Sequence, residues 1–201
     1  DIGGENERVP SEAEIQQAMK VSGWANLVID GNTVRIPEGI QIDFGAVGKG
    51  MACDEAKTVL QADPSVSGAV VASGGSVLLY GDSPDGAWTV GIQHPDKEIG
   101  ETIAELRLEE SFVSTSGNYQ KYFIRDGKRY CHILSPQTGY PAETGLKSVT
   151  VVADSGALSD ALSTACFVLG YEKSLPVLER FDAQAVFITD ENEVIPTDGL
   201  T

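Results

Sequence analysis

Capping residues and apolar positions at helical spacing predict four helices along the chain. Ser11, with Glu14 three residues later, forms a capping box, which predicts that the first helix begins there. A second helix is predicted to follow the glycine-rich residues 45–50. A third is predicted over residues 155–169, where a glycine follows, and a short fourth around residues 175–181.

The same spacing predicts which face of each long helix packs against the rest of the protein. In the second helix the apolar positions are Val47, Met51, Ala56, Val59 and Leu60. In the third helix they are Leu158, Ala161, Leu162, Ala165, Val168 and Leu169. We expect these two faces to be buried, and the polar face of the third helix to line a cavity or contact water.

Short apolar runs between turn residues predict strands elsewhere. Turns rich in Gly, Asp and Asn indicate hairpins at residues 30–32, 74–75 and 126–127, and a last hairpin covers residues 185–196. Residues 146–153 alternate apolar and polar positions, which predicts a half-buried strand. Residues 41–43 are expected to be the end of a strand that leads into the glycine-rich turn.

The order of these elements bears on the fold class. Many strands with a few helices that do not alternate with them favour an α+β fold of mostly antiparallel sheets over a doubly wound α/β fold. No internal repeat or low-complexity linker divides the chain, so we expect a single domain over residues 1–201.

The charge balance narrows the possible partners. The chain has 201 residues, with 14 basic and 30 acidic side chains and a formal net charge of −16. A nucleic-acid binder needs a basic face that releases counterions, so we expect no nucleic-acid partner, and an anionic membrane surface is disfavoured in the same way. An anionic small molecule can bind only where a lysine, backbone amides or a bound cation reverse the local field.

The cysteines and the chain start add little chemistry. Three widely spaced cysteines without a CxxC pair indicate neither a zinc site nor a disulfide framework, and Cys53 and Cys166 are expected to be small core residues. Because the chain begins with Asp1 rather than Met, we expect a processed product or a fragment.

The glycine-rich turn before the second helix is the first candidate for a binding site. It contains Asp43, Gly45, Ala46, Gly48, Lys49 and Gly50. Glycines let the backbone approach an anion, and a helix N-terminus offers free N–H groups and a favourable dipole. Lys49 could then contact a phosphate, although the spacing is not that of a Walker A loop and such glycines also serve as plain connectors.

The third helix carries the second candidate. Asp160, Ser163 and Thr164 are at positions i, i+3 and i+4, so their oxygen-bearing side chains share one face. A carboxylate with hydroxyl groups suits a hard cation such as Mg²⁺, which takes only one or two carboxylates and keeps several waters. The alternative is an ordinary solvated helix face.

His132, one of only two histidines, is the third candidate. It closes a predicted strand just before Ser135 and Pro136, where the chain must turn. A histidine can act as general base, although one at a strand end can also be purely structural. Taken separately, the three candidates do not decide the function.

Taken in order, the motifs resemble those of the FAD:protein FMN transferase family, also called the ApbE family. The family patterns are a D-[LF]-G-x-[IVA]-[AG]-K-G turn, an H-I-[IL]-D-P-x-T-G segment and an A-D-A-[LW]-x-T helix. This chain has DFGAVGKG at residues 43–50, HILSPQTG at residues 132–139 and SDALST at residues 159–164. Six such blocks follow the family order between roughly residues 40 and 190.

The resemblance implies a T-fold-related domain and a specific reaction. Family members move FMN from FAD to a Ser or Thr hydroxyl of a target protein and release AMP, with Mg²⁺ as cofactor and FAD as substrate. Bacterial members are often exported and membrane-anchored.

The resemblance also implies roles for residues of this chain. Asp160, Ser163 and Thr164 would lie on the metal-binding helix, with the Ala46 backbone carbonyl as a further ligand. Asp43 and Lys49 would contact the flavin nucleotide, as would the Leu134 backbone. His132 would activate the attacking hydroxyl.

Three departures from the family leave alternatives open. Ser135 stands where Asp is usual, Ser163 where some members have Asp, and the chain is expected to lack the family's N-terminal segment. The alternatives are a non-catalytic domain that binds a flavin nucleotide, an FAD pyrophosphatase, and a structural remnant of the fold that self-associates through an exposed edge.

Overall fold

The computed structural model describes residue 2 and residues 7–200. The helices in chain order are α1 Glu12–Lys20, α2 Gly48–Gln61, α3 Gly156–Leu169 and α4 Tyr171–Arg180, with a 3₁₀ turn at Trp24–Asn26. The strands are β1 Val28–Asp30, β2 Thr33–Arg35, β3 Gly68–Ser73, β4 Ser76–Gly81, β5 Trp88–Gln93, β6 Thr102–Leu108, β7 Ser111–Gly117, β8 Tyr122–Arg125, β9 Lys128–Cys131, β10 Leu146–Ala153, β11 Gln184–Thr189 and β12 Val194–Pro196. None of the helices in the described residues is long and apolar enough to cross a membrane.

The chain divides into two compact units. The hairpin unit consists of Asp1–Asp43 and Gln120–Ala142, and the sheet unit of Phe44–Tyr119 and Glu143–Thr201. The predicted α+β class with mostly antiparallel sheets is confirmed, since all strand pairs are antiparallel. The single domain over residues 1–201 stays a prediction.

The sheet unit is built on six strands in the order β12-β11-β10-β7-β4-β3. Helix α3 packs against β7 and β10, while α2 packs against α3 and β4. Along β11, Phe187 meets the Tyr171 ring of α4, whereas Val186 and Ile188 cluster with residues of β5 and β6. Because successive side chains point to opposite faces, helices cover one face of the sheet and the β5–β6 hairpin covers the other.

Strand β10 differs from its prediction as a half-buried strand. Six of its eight residues are buried, including the polar Ser148 and Thr150. The strand lies between β7 and β11 in the middle of the sheet, and both of its faces are covered. Burial of Thr150 in this alternating sequence is tolerated because its hydroxyl is paired with that of Thr115 at 2.9 Å.

The hairpin unit contains α1 and two separate two-stranded hairpins, β1–β2 and β8–β9. The predicted capping box is present: the Ser11 hydroxyl accepts from the Glu14 N–H, and the Glu14 carboxylate accepts from the Ser11 N–H. Gly139 packs directly under α1, because a Cβ there would lie 2.6 Å from the Ile15 methyl group. The φ of Gly139 is +73°, so both its conformation and its surroundings require glycine.

The predicted strand end at residues 41–43 is wrong. Residues 40–44 have no regular secondary structure and are mostly exposed. A strand requires a hydrogen-bonded neighbour, and the two-stranded sheet of this region pairs only β1 with β2.

Candidate functional site

Helices α2 and α3 of the sheet unit cross at two glycines, Gly50 and Gly156. A Cβ added to either glycine would overlap the carbonyl oxygen of the other. The two backbones are therefore in direct contact, and only glycine on both sides permits this approach.

Two carboxylates fix this crossing from opposite directions. The Asp160 Oδ2 of α3 accepts a hydrogen bond from the Gly50 N–H of α2 at 3.0 Å. In return, the Asp54 carboxylate of α2 accepts from the Gly156 N–H at 2.7 Å and the Ala157 N–H at 2.8 Å, at the start of α3. Each helix thus supplies a carboxylate to backbone N–H groups of the other, where the helix dipole favours negative charge.

Asp160 is a buried carboxylate with a cation beside it. Its relative exposure is 2%, and the Lys49 Nζ lies 3.2 Å from its Oδ1. The same ammonium group donates to the Gly45 carbonyl oxygen at 3.1 Å, within the glycine-rich turn. The Lys49 side chain is 40% exposed as a whole, and its ammonium group neutralises the buried charge of Asp160.

A chain of hydroxyl groups continues from Asp160. The Ser163 Oγ donates to the Asp160 backbone carbonyl at 2.9 Å and lies 2.8 Å from the Ser116 Oγ of β7. The Ser116 Oγ is also 3.0 Å from the Thr164 Oγ1. Since each hydroxyl has one proton, the consistent assignment is that Thr164 donates to Ser116 and Ser116 to Ser163. The lone pairs of the half-buried Thr164 hydroxyl are then available to a cation.

The predicted orientation of α3 is wrong. Its fully buried positions are Gly156, Ser159, Asp160, Leu162, Ser163, Cys166 and Phe167. Leu158, Ala161, Ala165 and Val168 are only half-buried, and Leu169 is exposed. The polar stripe packs on the sheet because β7 provides oxygens at the right spacing: Ser114 pairs with Ser159 at 2.8 Å, as Ser116 pairs with Ser163.

The predicted inner face of α2 is also partly wrong. Met51 and Val59 are 50% and 70% exposed. The buried side of the helix is instead formed by Gly50 and Cys53, with Ala56 and Leu60 packed next to them. The buried face of α2 is determined by the close contact at Gly50, and the spacing of apolar residues gives no sign of that contact.

The other predicted residues lie in the hairpin unit. His132 is exposed, directly after β9, with its Nδ1 3.3 Å from the Lys121 carbonyl oxygen. If Nδ1 carries the proton, the basic lone pair of the ring is on Nε2. Asp43 is exposed, and Leu134 forms an isolated β-bridge with Pro141.

Ser135 retains a turn hydrogen bond at the position where the family pattern has Asp. Its Oγ accepts from the Gln137 N–H at 3.3 Å. Aspartate side chains make this type of bond to the backbone two residues further on, and serine makes it more weakly.

The sheet-unit residues fit a hard cation. Among the described residues, no group of three or more His, Cys, Asp or Glu side chains could hold a metal ion. The donors that the sequence predicts in this unit are all oxygen: the Asp160 carboxylate, the Ser163 and Thr164 hydroxyls, and the carbonyl of Ala46 in the turn before α2. Burial and, to a smaller extent, the charges of Asp54 and Asp160 raise the pKa of the nearby Cys53 thiol. One carboxylate with oxygen donors is the environment that Mg²⁺ accepts when phosphates complete its coordination.

Sequence reasoning missed three features of this site: Asp54, Ser116 and the Gly50–Gly156 contact. Glycine near the start of both helices was the available signal, because glycine there is unfavourable unless something approaches closely. Nothing local marked Asp54 or Ser116, whose partners lie 102 and 47 residues away along the chain.

Comparison with known proteins identifies a family. The ApbE family model matches residues 1–188. An FAD:protein FMN transferase of Klebsiella pneumoniae is 33% identical over 198 residues, which cover 96% of this chain and 61% of the relative. One of Treponema pallidum is 38% identical over 180 residues, which cover 84% of this chain and 49% of the relative. The chain therefore spans about half to three fifths of the length of these curated relatives.

Solved structures agree with the fold. The crystal structure of an ApbE protein from Thermotoga maritima superposes with a TM-score of 0.87 at 35% identity, covering 96% of this chain and 64% of that one. The apo form of the flavinyl transferase ApbE from Pseudomonas stutzeri gives a TM-score of 0.77 at 38% identity, covering 97% and 61%.

Proposed function

The chain belongs to the ApbE family, and on that premise we propose that it acts in transferring FMN from FAD to a Ser or Thr hydroxyl of a protein, with Mg²⁺ as cofactor and AMP as the released product. The observation that carries the proposal is the Asp160 carboxylate, buried at the glycine crossing with Lys49 beside it. Because the chain has a net charge of −16, it can bind a diphosphate only where a local cation, such as Lys49 or a metal ion held by Asp160, offsets the negative charge.

The sheet unit is proposed to hold the diphosphate end of FAD. Asp160, Thr164 and the Ala46 carbonyl would bind Mg²⁺, with a lone pair of Ser163 as a further oxygen. Bound Mg²⁺ would neutralise the diphosphate and stabilise charge on the departing AMP. Lys49 would contact a phosphate, because its ammonium group is already at the site and its side chain is partly exposed.

The proposed reaction is a displacement at phosphorus. The acceptor oxygen forms a bond to the phosphorus of the FMN moiety, and the bond from that phosphorus to the bridging oxygen breaks. AMP leaves with the bridging oxygen, and the hydroxyl proton passes to His132. Asp43 and the Leu134 backbone are proposed to contact the nucleotide. Most of the acceleration would come from positioning and charge stabilisation.

The test replaces Asp160 without removing its acceptor oxygen. Asp160→Asn keeps an oxygen for the Gly50 N–H but loses the negative charge. We expect Mg²⁺-dependent AMP release from FAD to fall roughly a hundredfold or more. Asp154→Asn is the matched control, since Asp154 is exposed two residues before α3 begins. AMP release that is unchanged in Asp160→Asn would refute the metal assignment.

The same assay separates the alternatives when the flavin is followed together with AMP. Flavin covalently attached to a threonine-containing peptide indicates transfer, whereas free FMN indicates a pyrophosphatase. FAD binding without AMP over several hours indicates a non-catalytic domain.

A further inference from the structure

The β8–β9 hairpin is a positively charged element in an acidic protein. Residues 121–131 hold four of the chain's 14 basic side chains and one of its 30 acidic side chains, a net charge of +3. All four basic residues, Lys121, Arg125, Lys128 and Arg129, are exposed. The other ten basic residues are spread among 29 acidic ones.

The placement of two of these charges is unfavourable for the hairpin itself. Arg125 and Lys128 are directly opposite each other across the two strands. Like charges in this position destabilise a hairpin, whereas an opposite-charge pair stabilises it. Lys128 also lies 5.8 Å from the centre of the Tyr130 ring, which is a favourable contact. The Arg125–Lys128 pairing itself remains unfavourable, and a ligand with negative charge would relieve it.

The hairpin is held in a defined shape. Asp126 and Gly127 both have positive φ, at 52° and 75°, as the tight turns that match strand twist require. The Phe123 and Tyr130 rings stack at 5.2 Å, and the Arg129 guanidinium lies 4.4 Å from the centre of the Tyr122 ring. Basic groups fixed in this way lose less conformational entropy when a partner binds.

We infer that the β8–β9 hairpin is the docking surface for an acidic segment of the protein that accepts FMN. This inference rests on the proposed function, because it concerns the acceptor of that reaction. Strand β9 ends at Cys131, immediately before His132, so a partner bound along the hairpin is led toward the proposed base. An acidic partner meets repulsion over most of this chain and attraction at the hairpin, which gives both orientation and a faster encounter.

The test compares two acceptor peptides that differ only in charge. Each contains one threonine, flanked by Asp and Glu in one peptide and by Asn and Gln in the other. At low ionic strength we expect kcat/KM for FMN transfer to be roughly tenfold higher with the acidic peptide, and the difference to shrink at high salt.

The decisive variant is Arg125→Glu, which places a carboxylate opposite Lys128 and should leave the hairpin equally or more stable in urea unfolding. We expect it to reduce the preference for the acidic peptide by about three- to tenfold without changing KM for FAD. Lys173→Glu makes the same change in charge at an exposed position of α4 and should preserve the preference.

Three outcomes would overturn the inference. They are an unchanged preference in Arg125→Glu, an equal loss in Lys173→Glu, and a raised KM for FAD alone, which would make the hairpin an FAD subsite. If neither peptide is flavinylated, the proposed function fails. The docking inference is then tested separately by measuring binding of the dye-labelled acidic peptide through its fluorescence anisotropy. Binding that weakens in Arg125→Glu and not in Lys173→Glu supports docking, and equal binding refutes it.

Discussion

The two units of the molecule differ in how firmly their candidate residues are held. In the sheet unit, Asp160 is buried between two helices in backbone contact, and each of its oxygens has a partner. In the hairpin unit, His132 is exposed after a two-stranded hairpin. Among residue 2 and residues 7–200, 21 buried apolar side chains belong to the sheet unit and four to the hairpin unit, while Trp24 of the latter is 85% exposed. The cation end is preorganised by its own core, whereas the unit with the proposed base has little core of its own.

The largest effect is expected from closing the space between α2 and α3. Gly50→Ala forces the two backbones apart, and we expect a loss of about 3 kcal/mol in the free energy of unfolding, measured in urea. Gly48→Ala is the control, because the nearest heavy atom to its added Cβ is 4.0 Å away. It should be neutral or slightly stabilising. Equal stability of the two variants would show that the glycine contact does not hold the sheet unit together.

A somewhat smaller effect is expected from Asp54→Ala. The change leaves the Gly156 and Ala157 N–H groups without their acceptor, which should cost about 2 kcal/mol. Glu55→Ala, at the next and exposed position of α2, should change the free energy of unfolding by no more than about 0.5 kcal/mol. Thermal unfolding of both variants measures the difference. An Asp54→Ala variant as stable as the unmodified protein would show that the Asp54 hydrogen bonds do not stabilise the α2–α3 crossing.

The two units can be compared directly through their thiols. Burial raises the pKa of Cys131 in the hairpin unit and of Cys53 and Cys166 in the sheet unit, so all three stay protonated and react only when their surroundings open. We expect iodoacetamide at pH 8 to label Cys131 at least about tenfold faster than Cys53 and Cys166. A tenfold difference corresponds to a free energy of local opening that is about 1.4 kcal/mol lower around Cys131. Mass spectrometry of each cysteine measures the rates. Equal rates would mean that the units open together.

The smallest effect is a pH dependence confined to α1 of the hairpin unit. The hydrogen bonds from Arg8 and from Ser11 lower the pKa of Glu14 from 4.5 to about 2. Because the folded pKa is below the unfolded one, this stabilisation is present above about pH 4.5 and is lost as the pH falls toward 2. An NMR titration of the Glu14 carboxyl group tests the value. Glu14→Gln should weaken the dependence, and Glu38→Gln, at an exposed position of the same unit, should not.

Local signals account for most elements of this fold. The Ser11–Glu14 capping box, the Asp126-Gly127 turn and the glycine after α3 each fix backbone geometry within a few residues, and the elements at these places agree with them. The fourth helix, predicted around residues 175–181, begins four residues earlier, at Tyr171. The expected strand at residues 41–43 failed for the opposite reason, since a strand depends on a neighbour that no local signal supplies.

The sequence by itself determined most of the elements, the class of fold and the oxygen-rich stripe on α3, because helical periodicity places Asp160, Ser163 and Thr164 together wherever the helix lies. Only the tertiary structure decided that this stripe faces inward. Periodicity separates the faces of a helix without indicating which face packs against the protein. Here Ser114 and Ser116 of β7 form hydrogen bonds with hydroxyls of α3. Gly50 also lets the two helices approach closely enough for its N–H to donate to Asp160. These partners are distant in sequence, so only folding brings them within reach.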